Sequence, residues 1–223
     1  MLTRSATRRD ALVVLECRAG AFVAEQAWLA RVHPPESLDE AFAHEIRQAV
    51  LIGGQRTPVQ DLEFSIRHLV DVALRALSFA INDPNTAIAT IDRLRGALAR
   101  ILRKQLPSGV YRDAQGGLRV LVHETGFDGI FDAAFHQIRQ AGAKDPAVVI
   151  HLLRAIGRLA EHVRTIEQRD GLLRHAALIA RAGLAHPADE SDRADIRGAL
   201  AFAERKLRGL AWTSAPGTDA ADP

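Results

Sequence analysis

An amphipathic helix running into an Asn-Asp-Pro corner constrains this chain most. Between Pro58 and Ala87 the residue order leaves room for little besides two helices meeting at a tight turn. Pro58 suits the first turn of a helix, where its missing N–H has no partner to lose. At about 100° per residue, Val59, Leu62, Ile66, Leu69, Val70, Ala73 and Leu77 fall on one half of the cylinder. Gln60, Arg67, Asp71, Arg75 and Ser78 line the opposite side, with Asp61 and His68 on its flank. The helix should stop near Asn82. Asp83-Pro84 then reads as an N-cap followed by proline at the first helical position.

Two readings of the charged stripe follow. One polar face opposite one apolar face is what any surface helix shows, and exposed ion pairs four residues apart contribute only about a few tenths of a kcal/mol. The sharper reading covers the helix on both sides. Arg67, Asp71 and Arg75, each four residues from the next, would then form an enclosed network joined to Arg56, Asn82 and Asp83. Asp61 and Thr86 complete that candidate ligand set, and the amides opening the second helix could help hold an anion. Phe64 and Phe79, beside the polar stripe, favour partial burial.

The 223 residues suffice for one sizeable core, or one core with a small satellite. A composition 48% hydrophobic and 25% charged is that of a globular chain rather than a disordered one. The net charge is +2, and Asp and Glu are interleaved with the arginines almost everywhere, whereas nucleic-acid binders gather basic charge on one face. Nucleic acid is therefore not an expected partner. Cys17 stands alone, which excludes a disulfide framework and a thiolate metal site. No window supplies the roughly 18 apolar residues a membrane-spanning helix needs, and Arg75 interrupts the closest run. The basic start, residues 1–10, is followed by no apolar signal-peptide core. The chain as it stands is expected to be cytoplasmic, without a transmembrane segment.

Two β-leaning pieces interrupt an otherwise helical pattern. The first comprises residues 11–17, Gly20, and the apolar runs at 21–23 and 28–32 before Pro34-Pro35. The second, residues 110–122, places two strand-like runs around Asp113-Ala114-Gln115-Gly116-Gly117, a hairpin signal. Ser37 and Glu40 have capping-box spacing ahead of Phe42 and Ile46. Helical stripes follow at 88–102, 130–138, 148–163, 172–184 and 196–210, with Asp145-Pro146 and Pro187 marking boundaries. The expected fold is α+β, predominantly α, with about seven helices. Residues 1–35 would form a short β-rich appendage and 36–212 a helical bundle, with the hairpin near 109–122 inserted into it. Residues 213–223 would be a disordered tail.

Other constellations are weaker. Asp128, Asp132 and His136 recur every four residues, with Glu124 just before, and could align metal ligands. The sequence identifies no second ligand helix, so no metal and no cofactor are expected. His151, His162 and His175 read as surface or packing histidines. Ser65, His68 and Asp71 on one helix surface cannot supply the geometry of a nucleophilic triad. Gly116-Gly117 belongs to the hairpin, since no helix follows it as a phosphate loop requires. No catalytic residue is assigned.

The stretch RTPVQDLEFSIRHLVDVALRALSFAINDPNTA, residues 56–87, followed by AIATIDRL, carries a resemblance. It is similar to the signature of a bacterial family of predicted membrane proteins, domain of unknown function 2254. That pattern has an Arg-Thr matched by Arg56-Thr57, and a Gln-Asp matched by Gln60-Asp61. Its helix maps Arg67, Leu69-Val70-Asp71, Ala73 and Arg75 to Ser78, and Ala80 to Pro84 with Thr86-Ala87 match the corner. Phe79 stands where a proline is usual and Asn85 where an aromatic is usual, which alters a family-wide contact at the corner. Upstream, residues 18–34 resemble the family's short β region, with Gln26 and Ala27 near an expected glycine and Trp28 at a proline position. The resemblance implies members anchored by several transmembrane helices ahead of this region, so this chain would begin partway into the β region. A truncated gene, a fragment and a stand-alone paralogue all fit.

Three functions stay open on this reading. The first is a non-enzymatic cytosolic domain with a regulatory or assembly role, partnered by another copy of itself or by a membrane protein. The second is a sensor of a small anion or other ligand at the corner formed by Arg56, Asp61, Arg67, Asp71, Arg75, Asn82, Asp83 and Thr86. The third is a hydrolase-like enzyme with Asp61, Asp71 or Asp83 as general base, which requires a carboxyl of raised pKa in a cleft.

Overall fold

The computed structural model describes residues 1–56, 61–186 and 189–210. Thr57, Pro58, Val59, Gln60 and Pro187, and with them the proline-led helix start and one boundary signal, lie outside the described residues, as does the 213–223 tail. Among the described residues are eight α-helices and one four-stranded mixed sheet, so the chain is α+β with helix predominant.

Its contacts separate the chain into two units. One holds residues 1–68 and 105–130, the other residues 69–104 and 131 onward. The first unit contains α1 (Leu2–Arg8), β1 (Leu12–Leu15), β2 (Ala30–His33), α2 (Glu40–Ala49), β3 (Val110–Arg112) and β4 (Leu118–Val122). The strands run in the order β2-β1-β4-β3. β1 pairs antiparallel with β2, Leu12 opposite His33, and parallel with β4, Val13 opposite Val120. β3 and β4 form the expected hairpin, and Asp113 closes its turn by accepting the N–H groups of Gln115 and Gly117 at 3.1 and 2.7 Å. The early strands and the hairpin are therefore one sheet, where the sequence suggested an appendage and a separate insertion. The apolar run at residues 21–23 is not a strand. The buried centre of this unit is Ala6, Ala11, Val13, Phe42, Ile46 and Val120, so α1 and α2 cover one face of the sheet.

α2 is capped by Asp39, whose carboxylate accepts the Phe42 N–H at 2.6 Å. The expected Ser37–Glu40 box is not formed, because Ser37 closes a short 3-10 turn begun by Pro35. The Ser37 hydroxyl instead donates to the Arg9 carbonyl at 3.3 Å. α1 is the helix the sequence reading missed; seven residues are too few for a periodic apolar stripe to stand out.

The second unit is helical: α4 (Pro84–Ile101), α6 (Pro146–Leu159), α7 (Ile166–Leu184) and α8 (Glu190–Arg208). α3 (Leu62–Ala76) and α5 (Phe127–Gly142) contribute to it from Leu69 and from Phe131 onward. α6 packs against α4, α7 and α8, and so is apolar around most of its circumference, burying Val148, Val149, Leu152, Leu153 and Ile156. Gly157 permits the approach of α8, since a Cβ there would lie 2.6 Å from the Phe202 ring. Gln168 is buried but satisfied, its amide donating to the Leu102 carbonyl at 3.2 Å and accepting the Arg164 N–H at 2.7 Å.

Candidate functional site

The start of α3 gathers carboxylates and arginines from distant parts of the first unit. Asp61, immediately before the helix, accepts the Phe64 N–H at 2.9 Å. Its other oxygen receives the Arg56 guanidinium through Nε at 2.7 Å and Nη2 at 2.6 Å. Arg56 also lies over the Phe64 ring, 5.5 Å from its centre. Asp61 is only 6% exposed, and it is kept so by Gly20. A Cβ at Gly20 would sit 1.8 Å from Asp61 Oδ2, and the φ of +76° is itself one that favours glycine. The loop carrying Gly20 is thus shaped by the carboxylate packed against it.

Two residues on, Glu63 is 7% exposed and held by two arginines. Arg67 reaches it through Nε at 2.9 Å and Nη2 at 2.5 Å, and Arg18 through Nη1 at 2.9 Å. Arg18 also donates to the Thr125 hydroxyl. Burial pushes the Glu63 carboxyl up, but the hydrogen bonds and charges of Arg67 and Arg18 outweigh it and hold the group below its ordinary value. Arg18, Gly20 and Glu63 were not among the candidates read from the sequence. Glu63 was findable, since Glu four residues ahead of Arg is the favourable orientation on a helix; Arg18 and Gly20 arrive from too far along the chain.

The enclosed Arg67–Asp71–Arg75 network is not assembled. Arg67 is half-buried and pairs with Glu63, while Asp71 and Arg75 are exposed. Arg67 stands between two carboxylates at equal spacing, and the buried one captures it. The corner forms as the spacing predicts. Asn82 adopts a left-handed φ of 48° and donates its N–H to the Ser78 carbonyl at 2.8 Å, and the Asp83 N–H reaches the Ala76 carbonyl at 2.8 Å. Pro84 takes the first helical position of α4. Asp83 caps α4, accepting the Thr86 hydroxyl at 2.6 Å and the Thr86 N–H at 3.1 Å. The Thr86 hydroxyl, then its N–H, lower the Asp83 carboxyl below its usual range, the direction opposite to that of a general base. This carboxylate already sits where an anion would bind the helix start. Asn82 and Thr86 are exposed, and so, unlike half-buried Phe64, is Phe79, at 104%, with Ile81 at 60%.

A second cluster lies wholly in the helical unit. Asp132 and His136, one turn apart on α5, meet His175 of α7. Asp132 Oδ1 is 3.0 Å from His136 Nε2, 3.1 Å from His175 Nε2 and 2.8 Å from Arg174 Nη2. His175 is fully buried, and desolvation, then the positive charge of Arg174, lowers its pKa to about 4. The i, i+4 pair was visible in the sequence; that His175 supplies the second helix was not.

Over residues 1–158 the chain matches the family described as Predicted membrane protein (DUF2254), and it belongs to that family. It is 35% identical over 182 residues to uncharacterized proteins of Mycobacterium bovis and of two strains of Mycobacterium tuberculosis. The matched region is 82% of this chain and 34% of each relative, so the chain spans about a third of the length of the curated relatives it matches. No solved structure matches. Among the described residues no helix is long and apolar enough to cross a membrane.

Proposed function

We propose, from membership of this family, that the chain is a non-enzymatic assembly module, acting on the cytosolic side and docking on the polypeptide of a membrane protein of the same family. The docking element is the corner between α3 and α4. The observation that carries this reading is Phe79, a whole aromatic side chain in solvent on the segment most characteristic of the family, with Ile81 exposed two residues on. Isolated exposed apolar residues are ordinary, but two large ones on a turn fixed by backbone and capping hydrogen bonds form a preorganised anchor. The length of the relatives beyond the matched region supplies the kind of polypeptide it would meet.

Ligand sensing by the corner finds less support, because Asp83 already takes the amide an anion would use. A general base finds less as well, because Asp83 is shifted downward, Asp71 is exposed, and the oxygens of Asp61 are engaged by the Phe64 N–H and by Arg56.

The test is co-expression of this chain with a tagged, full-length family relative that carries membrane-spanning helices. The wild-type chain should co-purify in detergent, and Phe79→Asp with Ile81→Asp should abolish recovery while circular dichroism stays unchanged. Equal recovery of the double variant, or none of the wild type, contradicts the proposal.

A further inference from the structure

We propose that Asp132, His136 and His175 form a binding site for a divalent transition metal, with Zn²⁺ as the ion its donor set fits. Two imidazoles and one carboxylate from two packed helices make a three-ligand set that leaves a fourth position open, the pattern of zinc sites that also hold water or substrate. One donor atom from each residue lies within 4.8 Å of the others. The two Nε2–Oδ1 separations, 3.0 and 3.1 Å, are close to the edge of about 3.3 Å of a tetrahedron with metal–ligand bonds of about 2.0 Å. Two of the three edges of such a ligand triangle are therefore already close to the required length.

The hydrogen bonding at the cluster is itself unbalanced. Three N–H donors, from His136, His175 and Arg174, converge on the single oxygen Oδ1 of Asp132, which offers two lone pairs. Meanwhile Nδ1 of His136 and Nδ1 of His175 are buried without a hydrogen-bond partner. Ligation through Nε2 places the proton of each neutral ring on Nδ1, the tautomer opposite to the one that donates to Asp132. Phe135, with its ring 5.3 Å from that of His175, and Phe131 at 6.4 Å form the apolar wall behind it. Asp132 and His136 are half exposed and leave an entry path for the ion.

Arg174 is the competitor. Its guanidinium occupies the carboxylate oxygen the metal needs and adds a positive charge beside the site. Removing it should strengthen metal binding, whereas in a purely structural cluster its removal would create none.

The full chain, dialysed against chelator, is titrated with Zn²⁺ by calorimetry and with Co²⁺ by visible absorption, with Mg²⁺ as the hard-cation control. The proposal expects one Zn²⁺ per chain, tetrahedral-type Co²⁺ bands, and no response to Mg²⁺. His136→Ala, at a half-exposed position that leaves the buried His175 in place, should weaken Zn²⁺ about 100-fold or more, and Arg174→Gln should tighten it about tenfold. Absence of Zn²⁺ binding to the folded wild-type chain overturns the proposal. So does Zn²⁺ affinity that is the same in wild type and His136→Ala, or a response to Mg²⁺ equal to that to Zn²⁺.

Discussion

Gly20, packed against Asp61, and Glu63, in the first turn of α3, hold the ion-pair group together. At Gly20, a left-handed backbone and a carboxylate in the space of a Cβ act together. Gly20→Ala should therefore destabilise the first unit by about 2 kcal/mol or more, through strain and displacement of the Arg56–Asp61 pair, read as a lower urea midpoint. Glu63 supplies the pH dependence. Its folded-state pKa lies below the ordinary 4.5, so the unfolded chain binds the proton more readily. Its stabilisation is complete above about pH 4.5 and is lost as pH falls through the lower folded value. Glu63→Gln should lower stability at pH 7 and flatten the acid limb of the stability profile below that pH. An unchanged acid limb would mean that the two arginines do not hold the carboxylate. At this scale the sequence showed which residues were charged but not which partner each would take. Arg67 lies four residues from both Glu63 and Asp71, and only burial, a tertiary property, decides for Glu63.

Among the elements, those whose signals are local were legible. The α3–α4 corner followed from Asn82-Asp83-Pro84, and the hairpin from the glycines after Asp113. α6 and its Asp145-Pro146 start were equally plain, because cap and proline act within one turn. Asp83→Ala removes both bonds to Thr86 and should cost about 1 kcal/mol, seen as a lower thermal midpoint. A midpoint within error of wild type would show the corner is held by its backbone bonds alone. The sheet was only half legible. Pairing β1 with β4 joins Val13 to Val120 across more than a hundred residues, and no local signal announces a parallel partner so far away. The capping of α2 misled for a related reason. Ser37 and Asp39 both suit an N-cap, and Pro35 drew Ser37 into a preceding turn, leaving the helix to Asp39.

For the molecule as a whole, the family was legible from one segment, while the division of the chain was not. Residues 105–130 return to the unit that holds the first strands, so the boundary of each unit is set by tertiary contacts rather than by composition. The candidate cluster at 56–86 separates into a buried ion-pair group at Asp61 and Glu63 and an exposed corner at Phe79 to Thr86. The most direct test places a photo-cross-linking amino acid at position 79, with a control at position 100, an exposed site on α4. Both chains are co-expressed with the full-length membrane-spanning relative and irradiated. The account predicts cross-links to the relative from position 79 and few from position 100. Equal yields from the two positions, or products from position 100 alone, would contradict it.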